Sequence, residues 1–273
     1  MTKLQELERN LIKKYRKSIW TPFCMGLKKY ELINEGDKIA VCISGGKDSM
    51  ILAKCIQELK RHGRINFDVE YIVMDPGYND ENLQLIKDNA EFLNIPIRIF
   101  TSNIFDAVVE MDDSPCYICA RMRRGYLYRY AIKLGCNKIA LGHHFDDVIE
   151  TTLMSVLYNG QFKTMMPKLK STSHDGLELI RPLYLVKEQS IIDFRNYHNL
   201  RFLQCACRFT EYISHEEHKM DSKREEMKYF IKKLRERNPL MDKNIFRSLH
   251  NVNLDTIIGY QKNNEIFSFL DDY

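Results

Sequence analysis

From residue 38 to residue 160 the chain alternates short apolar runs with segments of helical period, and that rhythm leaves few folds open. KIAVCI (38–43), DVEYIVMD (68–75), PIRIFTS (96–102) and NKIALGHH (137–144) read as strands. Between and after them, MILAKCIQELKRHG (50–63), DENLQLIKDNAEFLNI (80–95), RGYLYRYAIKLGC (124–136) and DDVIETTLMSVLYNG (146–160) read as helices. Strands alternating with helices make parallel βαβ units, so the expected fold is α/β with a doubly wound, Rossmann-like parallel sheet. Before it, Leu4, Leu7, Leu11, Ile12 and Tyr15 share one side of an amphipathic N-terminal helix that runs to the turn cluster Asn34–Asp37. After Arg181-Pro182-Leu183 the pattern becomes mostly helical, with Met227, Phe230, Ile231 and Leu234 as the apolar side of a long charged helix. The expected organisation is a helical segment over 1–34, an α/β domain over 35–185 and a helical C-terminal extension over 186–273.

Composition excludes little. The 273 residues suffice for a substantial core, and a net charge of +4, from 41 basic and 37 acidic residues, is too small to argue for nucleic acid by itself. No apolar run approaches the roughly 18 residues of a membrane helix, and the first twenty residues lack the apolar core of a signal peptide. A cytoplasmic protein with no membrane partner is the expectation. Its eight cysteines are then no disulfide framework, and Cys42 and Cys55 read as inert buried thiols.

The first chemical signal is Ser44-Gly45-Gly46-Lys47-Asp48-Ser49, set between a strand and a helix. The glycines permit a tight path with several N–H groups facing one point, and the following helix turns its positive end toward an anion. Lys47 adds a full charge. The spacing is neither G-x-x-x-x-G-K-[ST] nor G-x-G-x-x-G. The hexapeptide resembles instead the PP-loop of ATP pyrophosphatases, enzymes that split ATP between its α and β phosphates and transfer AMP to a substrate oxygen. A carboxylate beside phosphates needs an intervening cation, which assigns Asp48 to Mg²⁺. Met74, at the end of the second strand, falls where such a fold meets the nucleoside.

A second strand end carries Gly142-His143-His144-Phe145-Asp146-Asp147. Gly142 permits close backbone approach, His143 can donate to phosphate or to a developing oxyanion, and the two aspartates suit a helix start. These residues resemble the G-H-x-x-D-D element found with S-G-G-K-D-S in PP-loop tRNA-modifying enzymes.

Cys116-x-x-Cys119 follows Ser114-Pro115, a good N-cap and first helical residue, and places both thiols on one helical face. Cys205-x-Cys207 forms the other cluster. Structural zinc on four cysteines, a catalytic dithiol and a [4Fe–4S] cluster on three cysteines all remain open on these residues alone.

The full order of motifs resembles the tRNA 2-thiocytidine synthetase (TtcA) family. It comprises S-G-G-K-D-S, P-C-x-x-C followed by R-x-R-R-G-x-L-Y, L-G-H-H-x-D-D, R-P-L and a late cysteine pair, spanning about residues 15–240. The resemblance implies an ATP- and [4Fe–4S]-dependent sulfurtransferase. Such an enzyme adenylates a cytidine of the tRNA anticodon loop (position 32) and replaces its C2 oxygen with sulfur. It implies ATP contacts at Ser44, Gly45, Gly46, Lys47, Asp48, Ser49, Met74, Gly142 and His143, and cluster ligation by Cys116, Cys119 and Cys205. It assigns reactive roles to Asp48, Arg123 and Asp146, and makes tRNA and a cysteine desulfurase or other sulfur donor the partners. Homodimers are common in the family. Where the family has P-C-x-x-C at its second cysteine motif, this chain has Gln204-Cys205-Ala206-Cys207, which leaves Cys207 as the alternative third ligand. RNA contact is expected from Arg121, Arg123, Arg124, Arg129, Tyr126 and Tyr128, with lysines of the N-terminal helix and Lys163, Lys168 and Lys170. The rival readings are a lysidine-synthetase-like PP-loop ligase and a non-enzymatic, zinc-stabilised RNA-binding module.

Overall fold

The computed structural model describes residues 1–102, 115–203 and 218–271, with the side chains of 115–121 and 218–222 outside that description. Its centre is a six-stranded sheet, β1 Lys38–Ile43, β2 Asp68–Asp75, β3 Ile97–Thr101, β4 Lys138–Ala140, β5 Lys168–Lys170 and β6 Glu178–Ile180, in the order β3-β2-β1-β4-β6-β5. Five strands run parallel, and β5 closes one edge antiparallel to β6. Val41 of β1 stands between Tyr71 of β2 and Ala140 of β4, so the chain turns left after β1 and right after β4. That reversal opens a crevice beyond the strand ends, where doubly wound sheets take ligands.

Strand β1 is buried from Ile39 to Ile43, which is why it reads as an unbroken apolar run rather than an alternation. Ile39, Val41 and Ile43 pack on the face that receives Met50, Ile51 and Phe23. Ala40 and Cys42 join Ile72 and Ile139 on the other face, against Ala131. The isoleucine, valine, methionine and phenylalanine side chains among these each contribute about 1.5–3 kcal/mol by leaving water. The helices are α1 Lys3–Ile12, α2 Thr21–Lys29, α3 Lys47–His62, α4 Asp80–Phe92, α5 Pro115–Lys133, α6 Phe145–Asn159, α7 Glu188–Tyr197, α8 His218–Arg237 and α9 Met241–Ser248.

Two local expectations change, and one region gains an element beyond those expected. The single N-terminal helix is broken by a π-helical stretch, Arg16–Trp20, between α1 and α2. The wider turn, with Trp20 N–H donating to Tyr15 O, resets the register so that Ile19 and Phe23 are buried along with Leu7 and Leu11. The C-terminal third is mostly helical, as expected. It ends in a hairpin, β7 Gly259–Lys262 and β8 Glu265–Ser268, turned by Asn263 and Asn264, both at positive φ. Two consecutive asparagines in that conformation make the turn that matches strand twist. On α8, Met227 and Ile231 are buried as expected, but Phe230 is exposed.

Burial pushes the Cys42 thiol up to about 12 and Cys136 to about 11, and raises Cys55 as well, so all three are inert at neutral pH. Among the described residues no helix is long and apolar enough to cross a membrane.

Candidate active site

The end of β1 delivers Ser44, and the chain then folds back on itself. Gly45 sits at φ +83°, and a Cβ there would lie 2.7 Å from Ile86 Cγ1 and from Leu203 Cδ1. Only glycine suits that position. Ser49 closes the loop: its Oγ accepts from Ser44 N–H at 3.1 Å and from Ser44 Oγ at 3.2 Å, and donates to Gly46 O at 3.0 Å. Leu203 N–H donates to Gly45 O at 3.1 Å, so the chain ahead of the late cysteine pair is tied to this loop.

A cavity of about 380 Å³ opens above the crevice. Ser44, Asp48 and Ser49 form one wall, with Met74 at the end of β2 and Tyr78 just past it. Gly142 and His143 face them from the turn after β4, and Asp147 from the first turn of α6. The third side comes from Arg123 and Leu127 of α5 and Arg224 of α8. Gly142 brings the two strand ends together, since a Cβ on it would meet Asp48 C and Ser49 N at 3.0 Å.

The electrostatics are specific. Asp48 Oδ2 accepts from Lys47 Nζ at 3.1 Å, whereas Asp48 Oδ1 is buried without a hydrogen-bond partner. An acceptor left in that state fits a hard cation. Among the described residues no three His, Cys, Asp or Glu side chains converge as a metal site. A Mg²⁺ ion at Asp48 would therefore take its remaining ligands from phosphate and water, as is usual for that ion. Burial alone would lower the Lys47 ammonium, but Asp48 and Glu188 outweigh it and hold it above the ordinary lysine value. Burial pushes His143 down to about 4, with Arg181 and Arg224 adding to the effect against Asp147, so its imidazole is neutral at pH 7.

The adjacent aspartates divide. Asp147 faces the cavity, accepts from Arg224 Nη2 at 3.0 Å and caps α6 through a reciprocal pair with His144. Although burial raises its carboxyl, His144 and Arg224 hold it below the usual value. Asp146 does not line the cavity. It accepts Glu188 N–H at 2.7 Å and Arg235 Nη2 at 2.6 Å.

Of the residues expected at the site, Ser44, Asp48, Ser49, Met74, Gly142, His143 and Arg123 share the cavity. Gly45 and Gly46 shape the loop, and Lys47 is turned toward Glu188. Cys116 and Cys119 lie in the first turns of α5, with side chains outside the description, and Cys205 and Cys207 lie outside the described residues. Arg224, Glu188 and Tyr78 were not foreseen. Arg224 belongs to a run of charges that reads as a solvated helix face, and no local signal marks it.

A glycine-lysine loop and a histidine-aspartate turn meeting across the switch point of a mostly parallel sheet define a PP-loop protein. The PP-loop domain family matches residues 10–207. A tRNA-cytidine(32) 2-sulfurtransferase of Pelobacter propionicus is 34% identical over 235 residues, covering 85% of this chain and 84% of that one. Those of Coxiella burnetii and Geobacter metallireducens are 36% and 34% identical over 242 and 243 residues, covering 86% and 88% of this chain and 90% and 91% of theirs. The chain belongs to the PP-loop family and, within it, to the tRNA-cytidine(32) 2-sulfurtransferases. Its fold is also that of the U34-tRNA thiolase NcsA from Methanococcus maripaludis, solved with its [4Fe-4S] cluster. The TM-score is 0.65 at 22% identity, covering 89% of this chain and 80% of that one.

Proposed function

We propose that this chain is an ATP-dependent tRNA sulfurtransferase that replaces the C2 oxygen of the anticodon-loop cytidine at position 32 with sulfur. One observation carries the reading. The helix that opens with Pro115-Cys116-x-x-Cys119 also sends Arg123 into the cavity that Ser44, Asp48 and Ser49 line. A phosphate loop and a cysteine-bearing helix thus serve one space.

In this reading the cytidine O2 attacks the α-phosphate of ATP, pyrophosphate leaves, and AMP becomes the leaving group at C2. The loop from Ser44 to Ser49 cradles the phosphates, Asp48 holds Mg²⁺, and Met74 with Tyr78 borders the nucleoside. Neutral His143 donates a hydrogen bond to the phosphoryl oxygens without adding charge. Arg123 balances charge as AMP departs. Asp146 supports these groups through Glu188 and Arg235. A [4Fe–4S] cluster held by Cys116, Cys119 and Cys205 would supply the activated sulfur. The tRNA contacts are assigned to Arg124, Arg129 and Tyr126 of α5, where Arg129 lies 4.8 Å over the Tyr126 ring. A cysteine desulfurase or another donor supplies sulfur, and the work is placed in the cytoplasm.

The test is single-turnover assay of full-length protein, purified without oxygen, with tRNA, ATP, Mg²⁺ and sulfide. Pyrophosphate release that depends on tRNA, with 2-thiocytidine found by nucleoside mass spectrometry, is the expected result. Lys47→Ala stops both, and Cys116→Ala stops thiolation and lowers iron content. A colourless, iron-free protein with full activity overturns the reading in favour of a PP-loop ligase.

A further inference from the structure

The lysine of the phosphate loop is held away from the cavity it would serve. Its Nζ lies 2.9 Å from Glu188 Oε1 and 3.1 Å from Asp48 Oδ2. Glu188 is itself fixed. Its backbone N–H is bound by Asp146 Oδ2 at 2.7 Å, and Asp146 is gripped by Arg235 at 2.6 Å. Just ahead of it, Phe145 N–H donates to Val186 O at 2.9 Å, which zips the start of α7 to the start of α6. The Lys47 and Glu188 side chains are only 20% and 22% exposed, so solvent screens the pair incompletely.

We propose that Glu188 is a positioning residue that competes with the triphosphate of ATP for Lys47. The proposal rests on the loop being an ATP site, and it adds an exchange at that site. Asp48, ligating magnesium through its unpartnered Oδ1, would hold Lys47 less strongly through Oδ2, and a phosphate oxygen would then displace Glu188. The long, flexible lysine stem allows the swing without backbone movement. Glu188 stays at the edge of the loop afterwards, where His144 Nε2 is its neighbour 3.9 Å from Oε1. The same imidazole stands 3.8 Å from Asp48 Oδ1, so the two carboxylates share it as well as the lysine. Glu188 thereby sets how tightly ATP is held without touching ATP.

Calorimetric titration of Mg-ATP into full-length wild type, Glu188→Gln and Glu188→Asp tests the exchange, alongside tRNA-dependent pyrophosphate release. Glu188→Gln removes the competing charge and should bind Mg-ATP about fivefold more tightly, the scale of one partly screened ion pair. The KM for ATP should fall by a similar factor while kcat stays within about twofold. Glu188→Asp keeps the charge but ends one methylene short of the lysine, so its affinity should rise as well, by less. A purely structural role would raise KM and lower kcat together. Thermal melting verifies folding, and if Glu188→Gln does not fold, Glu188→Asp decides. Wild type that binds Mg-ATP with no gain in either folded variant overturns the exchange alone. Wild type that does not bind Mg-ATP overturns the ATP site itself, and the exchange with it.

Discussion

Gly142 stands so close to Asp48 that a Cβ on it would lie 3.0 Å from the Asp48 carbonyl carbon. The atoms it would meet are backbone, at the first turn of α3, and they cannot rotate aside. Gly142→Ala should therefore push the two strand ends apart by a few tenths of an ångström. We expect a stability loss of about 1–2 kcal/mol, typical of overpacking, and a roughly tenfold rise in the KM for ATP. Urea unfolding and pyrophosphate-release kinetics measure the two effects separately.

Gly45 combines φ +83° with Ile86 and Leu203 atoms 2.7 Å from the Cβ position. Gly45→Ala incurs left-handed strain of about 1 kcal/mol and an overpacking cost of about 1–3 kcal/mol. The melting temperature should fall further than in Gly142→Ala, and a normal melting curve would contradict the loop geometry described here.

Arg224 bridges Asp147 at 3.0 Å and Glu150 at 3.0 Å. Removing the guanidinium leaves an unbalanced carboxylate on the cavity wall that the proposed reading gives to phosphate. Arg224→Ala should raise the KM for ATP about tenfold with a smaller change in kcat. Arg224→Lys, which keeps the charge but cannot span both carboxylates, should recover part of the loss. Equal KM values in all three proteins would show that Asp147 does not act on the phosphates.

His143 carries the clearest pH signature. Its folded pKa of about 4 lies below the ordinary 6.5, so as pH falls the unfolded chain takes up the proton first. The stabilising contribution is complete above about pH 6.5, is lost between about 6.5 and 4, and amounts to at most about 3 kcal/mol. Urea unfolding across that window should steepen toward acid for wild type, and His143→Gln should flatten the slope. Identical slopes would rule out a buried neutral imidazole.

Asp146 has no line to the cavity, yet it holds both Glu188 and Arg235. Asp146→Asn should cost about 2 kcal/mol of stability, the scale of a lost hydrogen bond to a charged group. Chemical denaturation gives that figure. A large fall in kcat with unchanged stability would make Asp146 a reactive acid instead.

The strands from β1 to β3 were legible because each is a local apolar run followed by a helix that covers it. The glycine-lysine loop was legible because its residue types have one common physical use. Strands β5 and β6 were not, since three residues carry too little period and their ladder comes from distant pairing. Phe230 misled because helical spacing alone does not say how wide the buried stripe is. Arg224, Glu188 and the true orientation of Asp146 depend on how α6, α7 and α8 come together, which no local pattern encodes. The split between Asp146 and Asp147 shows the limit well: two identical neighbours are separated only by which of them meets Arg224 and which meets Arg235.

The PP-loop family match ends at residue 207, but Arg224 and Arg235 come later in the chain. An excised fragment stopping at that boundary would retain Asp146, Asp147 and Glu150, all well shielded, with both guanidinium partners deleted. Such a piece would have to rehydrate or protonate those acids along α6, of which Asp147 alone among the three lines the cavity. Expression trials that trim the protein to its recognisable domain should accordingly give insoluble or inactive material, however complete the phosphate loop.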